Sequence, residues 1–200
     1  MRKCLLLLSL LSCCLASKAQ LRTFPIKISL FNESTAIPFT RFFSTPVHPG
    51  IQIGTEFNYK RKKCTRLFQT LNISYFYHNH LEQGAALHTE LGYELRIRKQ
   101  FSVSARLGIG YMHTFNTAEE YTLEDGHYVK KTDEGNSRIC PSLSFDLGYY
   151  LKKANPKSPQ LFISYQSWAE YPYSSALIPL MPHVSLHFGT KIFLTKNTGK

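Results

Sequence analysis

Apolar and polar residues alternate with a period of two through segment after segment of this chain. From Phe101 the odd positions read Phe101, Val103, Ala105, Leu107, Ile109 and Tyr111. The even positions read Ser102, Ser104, Arg106, Gly108, Gly110 and Met112. Successive side chains of a strand point to opposite faces, so this pattern predicts a strand with one apolar face. Eight segments carry it: 23–31, 51–59, 67–77, 86–97, 101–112, 139–151, 161–168 and 184–194. The first is the weakest, with Phe24, Ile26, Ile28 and Leu30 set against Pro25, Lys27 and Ser29.

The connections alternate in length. Those after the second, fourth and sixth segments are short and basic: Arg61-Lys62-Lys63, Arg98-Lys99-Gln100, and Lys152-Lys153 through Pro159. Those after the first, fifth and seventh are long, and the third is intermediate. Even strand number, short turns on one side and long loops on the other are the pattern of a membrane barrel whose termini lie on the short-turn side. Tyr59, Phe101 and Tyr149 fall near one end of the apolar faces, and Tyr75, Tyr77 and Tyr111 near the other. Amphipathic rings favour the headgroup level, so two girdles are expected. The predicted fold class is all-β: an eight-stranded antiparallel up-and-down transmembrane β-barrel. A soluble sandwich or lipocalin-like barrel would turn its apolar face inward. Here the opposite face carries glycines and charges, which suits a narrow barrel interior.

The N-terminus changes the picture of compartment. Arg2 and Lys3 precede the apolar run Cys4–Leu11, and Ser17-Lys18-Ala19 fits a small-x-small cleavage site before Gln20. Residues 1–19 therefore read as a signal peptide and 20–200 as the barrel domain; lipidation of Cys13 or Cys14 is the competing reading. Cleavage removes three bases and no acid, lowering the formal charge from +11 to +8. For an exported chain this favours anionic lipid headgroups or lipopolysaccharide as partners over nucleic acid. Cys64 and Cys140 remain, and the topology sets them at opposite ends of the barrel as free thiols.

These patterns, with His48-Pro49-Gly50 at the start of the second strand and Gly-Ile-Gly-Tyr at 108–111, resemble the small eight-stranded outer-membrane β-barrels of bacteria. The resemblance covers nearly all of residues 20–200 and includes no motif of a single enzyme family. It implies the outer membrane of a gram-negative bacterium. The leading expectation is a structural or surface-binding role without catalysis, presenting loops 32–50, 114–138 and 169–182, although the fold alone does not choose it. Barrels of this size also include lipid A- or phospholipid-modifying acyl hydrolases and acyltransferases, and binding proteins for apolar or anionic surface ligands.

The interior of such a barrel is just wide enough for its own side chains. The inward set comprises Gln52, Glu56, His88, Glu90, Glu94, Arg96, Arg106, Asp146, Gln166, His187 and Lys191. Buried charges should pair. Setting residue 98 opposite 102 across the turn predicts a Glu94–Arg106 ion pair.

The loops differ in character. Residues 114–138 hold Glu119, Glu120, Glu124, Asp125, Asp133 and Glu134, six of the 13 acids, with Asp125-Gly126 as a hairpin tip. The first and last loops are apolar and rich in proline. Phe39, Phe42 and Phe43 in one, and Tyr171, Tyr173, Leu177 and Met181 in the other, are expected to meet as an apolar lip for lipid, an apolar ligand or a partner protein.

For catalysis, His183 and Ser185 lie two apart on one strand face, a spacing that allows a base beside a nucleophile. Glu170 is the only nearby acid to orient the base, and no acid follows Ser185. His78-Asn79-His80 with Glu82 offers metal-type donors, but the sequence supplies no third fixed ligand. No metal and no cofactor are expected.

Overall fold

The computed structural model describes residues 23–79, 81–98, 100–117, 121–124, 126–130, 133–152, 158–174 and 178–195. The signal segment with Cys13 and Cys14, and also His80, Lys99, Glu119, Glu120, Asp125 and Leu177, lie outside the described residues. Ten strands follow in order: β1 Thr23–Thr35, β2 His48–Arg61, β3 Thr65–Tyr77, β4 Glu82–Arg96, β5 Phe101–Asn116, β6 Tyr121–Glu124, β7 His127–Lys130, β8 Asn136–Tyr150, β9 Gln160–Glu170 and β10 Met181–Thr195. Eight of them close an antiparallel barrel in the order β1-β10-β9-β8-β5-β4-β3-β2, and β6 and β7 form a separate hairpin. Gly126 turns that hairpin at φ 81°, the left-handed region that glycine enters without a steric cost.

Alternation decides which way each side chain points, and it holds around the wall. Leu30, Ile53, Ile73, Leu91, Leu107, Leu147 and Phe188 are all exposed on the outside. Lys27, Glu56, Arg66, Glu90, Glu94, Arg106, Asp146 and Lys191 are buried inside. Water would not sustain an apolar exterior around a charged interior; lipid does, so the barrel spans a membrane. The turns after β2, β4 and β8 sit at one end with the start of β1 and the end of β10, and the longer loops at the other. These ends are called periplasmic and outer below.

The strands outrun the predicted segments, chiefly at the outer end. β1 continues to Thr35, β4 starts at Glu82, β5 reaches Asn116 and β8 starts at Asn136. Register also departs from expectation. Across the β4–β5 turn Arg96, and not residue 98, faces Ser102, so Glu94 pairs with Ser104 and Arg106 with Gly92. A shift of two residues keeps every side chain on its own face but replaces each cross-strand partner. The Glu94–Arg106 pair is therefore corrected: Arg106 bonds Glu90 and Asp146, and Glu94 bonds Arg66. Gly92 makes room for this arrangement, because a Cβ there would stand 2.9 Å from Arg106 Cγ.

Cys64 is exposed by the periplasmic turn and Cys140 is buried toward the outer end, both as free thiols.

Candidate functional site

The interior has three zones, set by which inward residues each strand level supplies. The periplasmic zone is a charged plug. Arg66 reaches Glu56 at 2.5 Å and Glu94 at 2.8 Å, and Lys191 and Lys27 reach Glu56 at 3.2 and 3.7 Å. One layer up, Arg106 bridges Glu90 at 2.5 Å and Asp146 at 2.8 Å. Ser104 donates to Asp146, and Ser144 donates to Glu90. Four carboxylates thus face Lys27, Arg66, Arg106 and Lys191. Equal charge and near-complete hydrogen bonding are what make such burial tolerable. Arg96, expected inside, sits half-buried at the periplasmic end over the Tyr150 ring at 4.1 Å.

The middle zone is apolar. Phe31, Phe76, Met112 and Cys140 pack together with Ala86 and Trp168 and border a cavity of about 30 Å³. That is room for water, with Ser74, His88, Ser142 and Gln166 as its polar lining.

The outer zone gathers acids and histidines at the mouth. His183 Nδ1 lies 2.7 Å from Glu33 and Nε2 3.1 Å from Glu170. Arg138 spans Glu170 at 2.8 Å and Glu82 at 3.4 Å. His48 stacks on His78 with ring centroids 3.5 Å apart. His183 itself stacks on Trp168 at 5.4 Å, nearly parallel. Glu33 and Arg138 carry no expectation from the sequence, Glu82 entered only beside His78 and His80, and His48 only as a strand entry. All four lie beyond the ends assigned to their strands, yet each falls on the inward parity of its strand. Running the alternation past the membrane would have found them.

The catalytic expectation is corrected by these contacts. His183 and Ser185 share the inward face, but both nitrogens of His183 are engaged by carboxylates. Ser185 Oγ instead meets His187 Nε2 at 2.8 Å. The other nitrogen of His187 faces Ser29 Oγ at 3.2 Å, so no acid orients it. Ser185 is 1 % exposed, sealed from any lipid chain. No base–nucleophile couple of the expected kind forms.

The apolar lip is also rearranged. Residues 36–47 do not cross the mouth to the last loop. They fold down the outside of the wall. Phe39 and Phe42 pack on Tyr165 at 5.3 and 5.2 Å, and Phe39 reaches Phe145 at 6.1 Å. The Phe39 amide donates to the Tyr165 hydroxyl at 2.8 Å. Asn32 donates to the Ser44 carbonyl and accepts from the His48 amide. The loop therefore covers outward polar positions, Asn32 and Ser34, that would otherwise meet lipid. Phe39, Phe42 and Phe43 stay more than half exposed. In the last loop, Tyr171 bridges to Ile139 and Tyr173 lies under Arg138 at 4.5 Å. Met181 faces Glu170 in the ladder.

No protein-family model matches the chain, and no curated protein matches it in sequence. Solved structures do. Neisserial surface protein A (NspA) superposes with a TM-score of 0.52 at 8 % identity, over 85 % of this chain and 95 % of that one. Ail, the attachment invasion locus protein of Yersinia pestis, gives 0.50 at 14 % identity, over 86 % and 98 %. The outer membrane enzyme PagL gives 0.48 at 11 % identity, over 84 % and 98 %. At such identities the likeness speaks to architecture alone. The chain has the fold of the small eight-stranded outer-membrane β-barrels.

Proposed function

We propose that this protein is exported to the outer membrane of a gram-negative bacterium, where the barrel anchors a non-catalytic binding surface made by its outer loops. The observation that carries this reading is the filled interior. A charge-balanced plug fills the interior of a barrel only just wide enough for its own side chains, which argues against a diffusion pore, and the inward contact of Ser185 with His187 is buried. Recognition then falls to the outside. The strap formed by residues 36–47 is its best-built element, with exposed Phe39, Phe42 and Phe43 flanking exposed Arg41. Rings that can lie among acyl chains beside a guanidinium that can meet phosphate suit an outer-leaflet lipopolysaccharide. At the other rim, exposed Lys62, Lys63, Arg98 and Lys152 suit anionic phospholipid headgroups.

Lipopolysaccharide retained by the purified barrel, counted by native mass spectrometry, tests the reading. Arg41→Ala with Phe42→Ser and Phe43→Ser should lower retention several-fold while heat-modifiable gel migration stays that of a folded barrel. Equal retention in the triple variant refutes the strap as the binding element. Lipid A whose acylation changes with the gene, and changes back in Ser185→Ala, would replace this reading by a catalytic one.

A further inference from the structure

Two groups of donors at the outer mouth lie close enough to share an ion. In Glu33, His48 and His78, and again in Glu82, Glu170 and His183, one donor atom from each residue falls within 4.8 Å of the others. Their electrostatics differ. In the second group Arg138 already bridges both carboxylates, at 3.4 and 2.8 Å, and both nitrogens of His183 face carboxylates. A fixed cation therefore already stands between the two acids of that group.

The first group is not compensated in this way. Among the described residues no lysine or arginine pairs with Glu33. Its Oε1 is held by His183, while Oε2 is fully buried without a hydrogen-bond partner and lies 3.8 Å from His48 Nδ1. His48 Nδ1 also meets the Glu33 carbonyl at 3.2 Å, which leaves His48 Nε2, buried and unpartnered among the described residues, as the ligating nitrogen. Two ligands of a tetrahedral ion with bonds of about 2.1 Å stand roughly 3.4 Å apart. The donor atoms of Glu33, His48 and His78 lie within 4.8 Å of one another, so side-chain rotation of about an ångström, which parts the stacked rings of His48 and His78, brings them to that spacing.

We infer that Glu33, His48 and His78 form a three-ligand site for a divalent first-row metal of the zinc class, with a fourth position left to water. Two imidazoles and one carboxylate favour such an ion over calcium or magnesium, which take oxygen donors. The chain Arg138–Glu170–His183 is the outer shell: it fixes the rotamer that turns Glu33 Oε2 toward His48. His78, half-buried on the turn after β3, leaves the ion a path from solvent. Glu33 lies near the end of β1, before the strap, and His48 opens β2 after it. A bound ion would therefore cross-link the base of the first outer loop to the β3–β4 turn. This inference does not depend on the lipopolysaccharide reading above.

Untagged full chain, folded in detergent micelles, is titrated with Zn²⁺ by calorimetry and with Co²⁺ by visible absorbance. One ion per barrel is expected, with the intense absorbance of a low-coordinate cobalt site. His78→Ala should weaken binding by about tenfold or more, and Glu33→Gln likewise. His113→Ala, a histidine on the outward face of β5, should leave affinity unchanged. His78 sits on a turn, and folding of each variant is read from heat-modifiable migration. Absence of saturable binding at one ion per barrel overturns the inference, as does affinity unchanged in folded His78→Ala.

Discussion

Replacing Arg106 by Met removes the cation that lies between two buried carboxylates. Arg106 is 3 % exposed, Glu90 0 % and Asp146 7 %, so neither acid can turn to water when the guanidinium is lost. Breaking one buried pair costs about 3–5 kcal/mol. Two acids are orphaned here, but each keeps other donors: Ser104 for Asp146, and Ser142, Ser144 and Gln166 for Glu90. Those bonds hold the expected loss near about 4 kcal/mol rather than twice a single pair. The assay is equilibrium unfolding in phospholipid vesicles, followed by the fluorescence of the single tryptophan, Trp168. Neutralising the whole layer, with Glu90→Gln and Asp146→Asn added to Arg106→Met, should recover part of the loss, because no buried carboxylate is then left without a cation; Lys27, a third cation beside Glu56 and Glu94, limits the recovery. Double-mutant cycles locate the partner. Arg106 should couple to Glu90 by more than about 1 kcal/mol and to Glu94 by under about 0.5 kcal/mol. An Arg106→Met cost below about 1 kcal/mol, or a larger coupling to Glu94, would refute the register and the plug together.

Other perturbations probe other parts of the barrel. Gly92→Ala places a methyl 2.9 Å from Arg106 Cγ and 2.5 Å from the Phe68 ring, and should cost about 1–3 kcal/mol by overpacking in the same unfolding assay; a neutral result would mean that the plug can shift. Tyr165→Phe deletes the acceptor of the Phe39 amide, and should release the 36–47 strap to limited proteolysis at a stability cost of about 1 kcal/mol. Unchanged cleavage would show that ring packing alone holds the strap. Cys64 should react with a water-soluble maleimide in the folded barrel while Cys140, 5 % exposed, reacts only on unfolding. Equal labelling rates would contradict the packing around Phe31 and Met112.

Much of the architecture is legible in the alternation of single segments. A strand's faces follow from parity, so the inward placement of Glu56, Glu90, Arg106 and Lys191, and the outward placement of Leu107 and Ile53, need no knowledge of neighbours. Strand number and the end at which β1 starts and β10 stops follow from counting segments and comparing loops. Strand length is less legible. A membrane of fixed thickness accounts for the apolar stretch of each strand, and the ladder then runs on into solvent, where apolar alternation gives way to polar residues. Glu33, Glu82, Arg138 and His48 occupy that continuation, which is why the outer cluster goes unseen in a search for apolar faces.

Residues 20–200 by themselves determined an even set of antiparallel strands with a lipid-facing side, a charged interior and no enzyme-family motif. Only the tertiary structure decided partners. Register at a turn depends on backbone geometry, and moving it by two residues exchanged Glu94 for Glu90 beside Arg106 without altering any parity. Barrel closure brought Glu33 against His183 from opposite ends of the chain, at a separation no local pattern encodes. The direction taken by residues 36–47 likewise followed from a hydroxyl and a pair of rings on the wall at Tyr165 and Phe145. Parity is local because it is set by the bonds of one strand; partnership is global because it is set by closing the sheet.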